Sequence, residues 1–140
     1  MTTPAQRTRI LVVEDNPDFL ELLCGRLENW GYEVLKAPNG EASLRIAQAH
    51  RPDLILLDVL MPTMKGWDVC AQLKADPNTE RIPIIFLTAL GLPEHIKAGK
   101  SLGADDYLVK PFKPEELQER INTCLLRHKD GSMNSQERRS

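Results

Sequence analysis

Hydrophobic positions fall along this chain in short dense runs, separated by longer stretches where they recur every three or four residues. The dense runs predict strands and the recurring ones predict amphipathic helices. Ile10-Leu11-Val12-Val13 predicts a first strand over about residues 9–13. A helix from Pro17 to about Trp30 follows, with Asn16 as N-cap, Pro17 at its first position and Gly31 as its stop. Its apolar face is Phe19, Leu20, Leu23, Cys24 and Leu27. The weaker run 33–37 alternates as an edge strand does, and Asn39-Gly40 turns the chain into a second helix over about 41–49. A third strand is predicted at 54–57, a third helix after Gly66 and a fourth strand at 82–87. A fourth helix at about 93–102 carries Gly99 inside it, which weakens it. A fifth strand at about 107–109 and a last helix from Pro114 to about Arg127 complete the pattern.

Strict strand–helix alternation predicts an α/β fold, doubly wound, with a parallel five-stranded sheet covered on both faces. Strands one, three and four are apolar throughout, as interior strands of such a sheet are, whereas strand two reads as an edge. The order 2-1-3-4-5 satisfies both. Ligands of such sheets bind outside the carboxyl ends of the strands, where the strand order reverses, here between strands one and three.

Composition narrows the class. The 140 residues are 41% hydrophobic and 27% charged, ordinary values for one globular domain. A net charge of −2 with no basic stripe predicts no direct nucleic-acid contact. The absence of a long apolar run and of a signal-type N-terminus predicts no membrane contact and a cytoplasmic location. Cys24, Cys70 and Cys124 are widely spaced and sit on apolar helical faces, so they read as small buried hydrophobes. His50, His95 and His128 read as surface residues. Residues 1–8 are expected to be disordered, 9–127 to form the domain, and 128–140 to be a polar tail or truncated linker.

Candidate chemistry lies at the strand ends. Glu14 and Asp15 follow strand one, Asp58 strand three, Thr88 strand four and Lys110 strand five. In a parallel sheet these groups converge on one edge. Clustered carboxylates repel unless a cation relieves them. Oxygen-only ligands without histidine or thiolate favour Mg2+ or Mn2+. Lys110 adds a second positive charge, Thr88 a hydroxyl, and one carboxylate can serve as a nucleophile toward phosphorus. Taken singly, each has a plainer reading, as a loop residue, a helix cap or a solvated charge. Four strand ends that all carry usable groups favour a joint function.

The segments LVVEDN (11–16), LILLDVLMPTMKG (54–66), IIFLTA (84–89) and GADDYLVKPF (103–112) resemble the receiver domain of two-component response regulators, over about residues 9–127. The resemblance implies a flavodoxin-like (βα)5 fold. It implies Asp58 as phosphoacceptor, Glu14, Asp15, Asp58 and the Leu60 backbone carbonyl as the metal site, and Lys110 as the phosphoryl-binding lysine. Thr88 and Tyr107 match the switch hydroxyl and the switch aromatic, with Tyr107 turning inward as Thr88 moves toward the phosphoryl group. The Lys110-Pro111 bond matches one that is usually cis. Lys65 departs from the family pattern, where an acidic residue is common.

On this resemblance the chain takes a phosphoryl group from a sensor histidine kinase or phosphotransfer protein. It then switches the face of the fourth helix, fifth strand and fifth helix toward a partner or output domain, a face that also leaves room for a homodimer. It is a self-phosphorylating acceptor rather than a turnover enzyme. Leu60 and Leu90, each two residues beyond a site residue, are apolar and predict slow self-hydrolysis. The alternatives are a haloacid-dehalogenase-type phosphatase and a receiver-like scaffold without phosphorylation. The first needs an aspartate where Leu60 stands. A flavin module would need a Ser/Thr/Gly-rich loop in place of EDNPDF.

Overall fold

A computed structural model describes residues 7–139, with side chains over 7–128; most of the N-terminal segment predicted to be disordered lies outside the described residues. The strands are β1 (Arg9–Val13), β2 (Glu33–Ala37), β3 (Leu54–Leu57), β4 (Ile84–Thr88) and β5 (Asp106–Val109). The helices are α1 (Pro17–Asn29), α2 (Gly40–His50), α3 (Gly66–Ala75), α4 (Pro93–Ser101) and α5 (Pro114–Arg139). All strand pairs are parallel and the sheet order is β2-β1-β3-β4-β5, as the apolar pattern predicts.

The sheet separates two apolar layers, because successive strand residues point to opposite faces. Ile10, Val12, Leu54, Leu56, Ile85 and Leu87 pack against Leu20, Leu23, Leu27, Leu117 and Ile121 of α1 and α5. Leu11, Val13, Ile55, Leu57, Ile84 and Phe86 pack against the layer that includes Val69, Cys70 and Leu73 of α3. Each buried Leu or Ile contributes about 1.5–3 kcal/mol relative to exposure. β2 does not alternate strictly: Glu33 and Lys36 are exposed, Val34 and Leu35 half-buried and Ala37 buried, the partial burial that an edge position allows. The three cysteines are buried free thiols, and burial pushes their pKa up to about 11 for Cys24 and Cys70 and about 12 for Cys124.

The helix starts follow the capping residues. The Asn16 side chain accepts from the N–H groups of Asp18 and Phe19 at 3.0 and 3.1 Å, and Asn39 accepts from Ala42 at 2.8 Å. Helix α4 lacks such a cap at Leu92, and Gly99 is its one buried residue. His95 serves there instead: half-buried, it accepts the Leu92 N–H on Nδ1 at 3.3 Å, so it is more than a surface residue. β4 begins at Ile84 rather than at 82, because the Ile82 N–H donates locally to Thr79 and Pro83 has no N–H to give. α5 continues past Arg127, its expected end, to Arg139, although its apolar face ends at Leu125.

Candidate functional site at the carboxyl edge of the sheet

Parallel pairing carries the groups after each strand to one edge. The ladder continues past the strands themselves: Glu14 N–H donates to Ala37 O at 3.1 Å, Asp58 N–H to Val13 O at 3.2 Å and Lys110 N–H to Thr88 O at 2.8 Å. The side chains that follow therefore start from fixed backbone positions. Carboxylate oxygens of Glu14, Asp15 and Asp58 lie within 4.8 Å of one another. Lys110 Nζ reaches across the edge to Glu14 Oε1 at 2.8 Å and Asp58 Oδ2 at 3.2 Å. On its other side the same ammonium stands 4.2 Å from the centroid of the Phe19 ring.

Backbone amides orient the two buried carboxylates. Asn16 N–H donates to Glu14 Oε2 at 3.1 Å, and Leu60 N–H donates to Asp58 Oδ1 at 3.1 Å. Leu60 is thus brought to the site through its amide, while its side chain is exposed. Gly66 shapes the loop that carries both. Its N–H donates to Val59 O at 2.9 Å, and a Cβ there would run into the Asp58 carbonyl oxygen and lie 2.7 Å from Val59 Cα. Only glycine permits that approach.

The electrostatics are those of a crowded acidic pocket. Burial pushes the Glu14 carboxyl above its ordinary value, partly countered by its hydrogen bonds from Lys110 and Asn16, with the Asp58 charge adding to the rise. Asp15 is exposed and completes the cluster from the solvent side. Two buried carboxylates and one at the surface, with all-oxygen donors, fit a hard divalent cation of the Mg2+ type.

Thr88 is fully buried at the end of β4, where its Oγ1 accepts the Leu90 N–H at 3.4 Å. Tyr107 differs from its expected resting place. Its ring is already inside, 5% exposed, and its hydroxyl donates to Leu90 O at 2.7 Å. It stacks on Trp67 with centroids 6.4 Å apart and lies 5.9 Å from Phe86. Burial raises the Tyr107 hydroxyl pKa, with a smaller contribution from the Asp58 charge. Gly99 makes room for the ring, since a Cβ at that position would sit 2.9 Å from Tyr107 Cδ2. The roles of Phe19, Trp67 and Gly99 were not read from the sequence. Phe19 appeared there only as part of the apolar face of α1, and Gly99 only as a weak point of α4.

Comparison with known proteins agrees with this geometry. The family model for the response regulator receiver domain matches residues 10–122. The chain belongs to that family. It is 43% identical over 129 residues to ycf27 of Cyanophora paradoxa, named a probable transcriptional regulator, a match that spans 92% of this chain and 53% of that protein. The chain spans about half the length of the curated relatives it matches. The chemotaxis protein CheY4 of Vibrio cholerae superposes with a TM-score of 0.81 at 34% identity, covering 85% of this chain and 99% of that one. The receiver domain of the sensor histidine kinase PA1611 from Pseudomonas aeruginosa superposes with a TM-score of 0.79 at 35% identity, covering 86% and 98%. That structure holds a magnesium ion coordinated in its active-site cleft. Membership of the receiver family disfavours the dehalogenase-type and scaffold alternatives. Among the described residues no helix is long and apolar enough to cross a membrane.

Proposed function

We propose that Asp58 is the phosphoacceptor of this receiver domain and that Lys110 binds the incoming phosphoryl group. The observation that carries this reading is the meeting of three carboxylates within 4.8 Å with one lysine bonded to two of them. Glu14, Asp15, Asp58 and the Leu60 carbonyl would hold Mg2+ or Mn2+, which when bound withdraws charge from the phosphoryl oxygens. An Asp58 carboxylate oxygen forms the new P–O bond as the P–N bond of a kinase or phosphotransfer-protein phosphohistidine breaks, and the electron pair leaves with the imidazole nitrogen. Lys110 neutralises the phosphoryl oxygens from the β5 side, and the Thr88 hydroxyl turns to donate to one of them. The added charge of about −1.5 to −2 then biases the α4–β5–α5 face.

The same reading makes the protein an acceptor with slow self-hydrolysis rather than a turnover enzyme. Leu60 and Leu90, flanking the site, offer no side-chain group to position a water. The domain spans about 9–127, acts in the cytoplasm and reaches its target through protein contacts, without direct nucleic-acid or membrane contact by this domain. A homodimer through α4, β5 and α5 belongs to the same proposal. The naming of relatives as transcriptional regulators supports an output reached through another module or partner. Incubation with Mg2+ and acetyl phosphate, followed by intact mass, tests the core of it. The expected result is one hydroxylamine-labile phosphoryl adduct that is absent in Asp58→Asn. An adduct that survives Asp58→Asn, or none on the wild type, refutes the assignment.

A further inference from the structure

We propose that Phe19 is a positioning residue for phosphoryl transfer, holding the Lys110 ammonium at the site by a cation–π contact. The inference rests on the reading of Lys110 as the phosphoryl-binding group. Lys110 Nζ is flanked by Glu14 and Asp58 on one side and by the Phe19 ring face, centroid at 4.2 Å, on the other. The lysine side chain is only 21% exposed, so water screens the contact weakly. The ring is itself fixed. Asn16 starts α1 by accepting the Phe19 N–H, and Phe112 meets the ring edge-on, centroids 6.4 Å apart at 78°. Lys110 and Phe112 thus approach one aromatic ring from a single short segment.

This ring matters because the two carboxylates have competing demands. A divalent cation held by Glu14 and Asp58 would take up oxygens that the ammonium uses, and a phosphoryl transfer would consume one Asp58 oxygen outright. An aromatic face attracts a cation through its quadrupole and is not consumed by either event. It keeps the ammonium where the phosphoryl oxygens arrive. An aliphatic side chain of similar volume would pack as well but supply no such attraction.

The test uses a small donor, because Phe19 also borders a surface groove with Leu22 and Phe112 and a kinase resting there would confuse the result. Acetyl phosphate labelling rates with Mg2+ are compared for wild type, Phe19→Tyr, Phe19→Leu and protein carrying 4-fluoro- or 3,4,5-trifluorophenylalanine at position 19. Phe19→Tyr is expected to label within about twofold of wild type, and Phe19→Leu about three- to tenfold more slowly. The fluorinated rings keep the shape and weaken the quadrupole, so the rate falls stepwise with fluorine. NMR reads the contact independently: the Lys110 ε-methylene protons lie upfield under the ring and return toward ordinary values in Phe19→Leu. Equal rates for all four kinds of protein, or an unmoved Lys110 signal, overturn the inference while wild-type labelling at Asp58 leaves the functional reading intact. No adduct on wild-type Asp58 overturns both.

Discussion

Replacing Gly99 by alanine tests whether the interior position of Tyr107 depends on a missing side chain in α4. On an exposed helical surface this change stabilises by about 1 kcal/mol, because alanine is the better helix former. Gly99 is buried, and the new Cβ would sit 2.9 and 3.1 Å from Tyr107 Cδ2 and Cε2 and 3.2 Å from Phe86 Cδ2. Ordinary contact begins near 3.4 Å, so two rings must give by several tenths of an ångström at once. Overpacking of this kind costs about 1–3 kcal/mol. If Tyr107 escapes by swinging out, it forfeits the hydrogen bond to Leu90 O, worth about 0.5–1.5 kcal/mol, together with its burial. Either route offsets the propensity gain, and the net expectation is no gain or a loss of up to about 2 kcal/mol. Urea unfolding measures the loss. Trp67, stacked on Tyr107, reports the ring's position by fluorescence once Trp30→Phe removes the other tryptophan. A Gly99→Ala protein that is about 1 kcal/mol more stable, with Trp67 emission unchanged, would refute the reasoning.

Four further outcomes are expected. Gly66→Ala forces backbone apart beside Asp58, so it should cost about 2–3 kcal/mol in urea and slow acetyl phosphate labelling; normal values for both would contradict the loop geometry. Burial raises the Glu14 pKa, so its contribution favours the fold below the unfolded value of 4.5 and is lost as pH rises through the folded value. Glu14→Gln should therefore raise the urea midpoint at pH 7 and much less at pH 4, and an equal shift at both would count against a strained carboxylate. The phosphoryl half-life of Asp58 should shorten several-fold when Leu60 or Leu90 is made asparagine, whereas an unchanged half-life of seconds in every form would end the slow-hydrolysis reading. Amides of α4, with Gly99 as its one buried residue, should exchange at least about tenfold faster than those of β3, and equal protection would show a rigid helix.

The sheet order and the helix starts were legible because they depend on local signals. Dense runs such as Leu54–Leu57 mark interior strands, Asn16-Pro17 marks a helix start, and the charged Glu33 and Lys36 within the run 33–37 mark an edge. The assembly of Glu14, Asp15, Asp58 and Lys110 was legible once parallel order was inferred, since topology alone brings strand ends together. What faces what across the core was not. Periodicity places Phe19 on the inner face of α1 but does not say that its ring meets an ammonium from β5. A glycine in a helix reads as a weakness until the Tyr107 ring is seen against it. The inward pose of Tyr107 escaped for the same reason, because a strand residue's rotamer is set by its neighbours in space. The end of α5 was missed because the apolar face stops at Leu125, while the helix continues to Arg139.

The division of the interior by the sheet has a consequence for how this molecule can change. Neighbouring residues of one strand, such as Val12 and Val13, belong to separate packing compartments. Substitutions in the compartment under α1 and α5 should add, within a few tenths of a kcal/mol, to substitutions in the one beneath α3 wherever the two sites lie more than about 10 Å apart. Sequence drift on the side that carries Phe19 can then proceed without retuning the aromatic cluster of Trp67, Phe86 and Tyr107 on the other. The acidic edge, fed by both, is where the two histories must stay compatible.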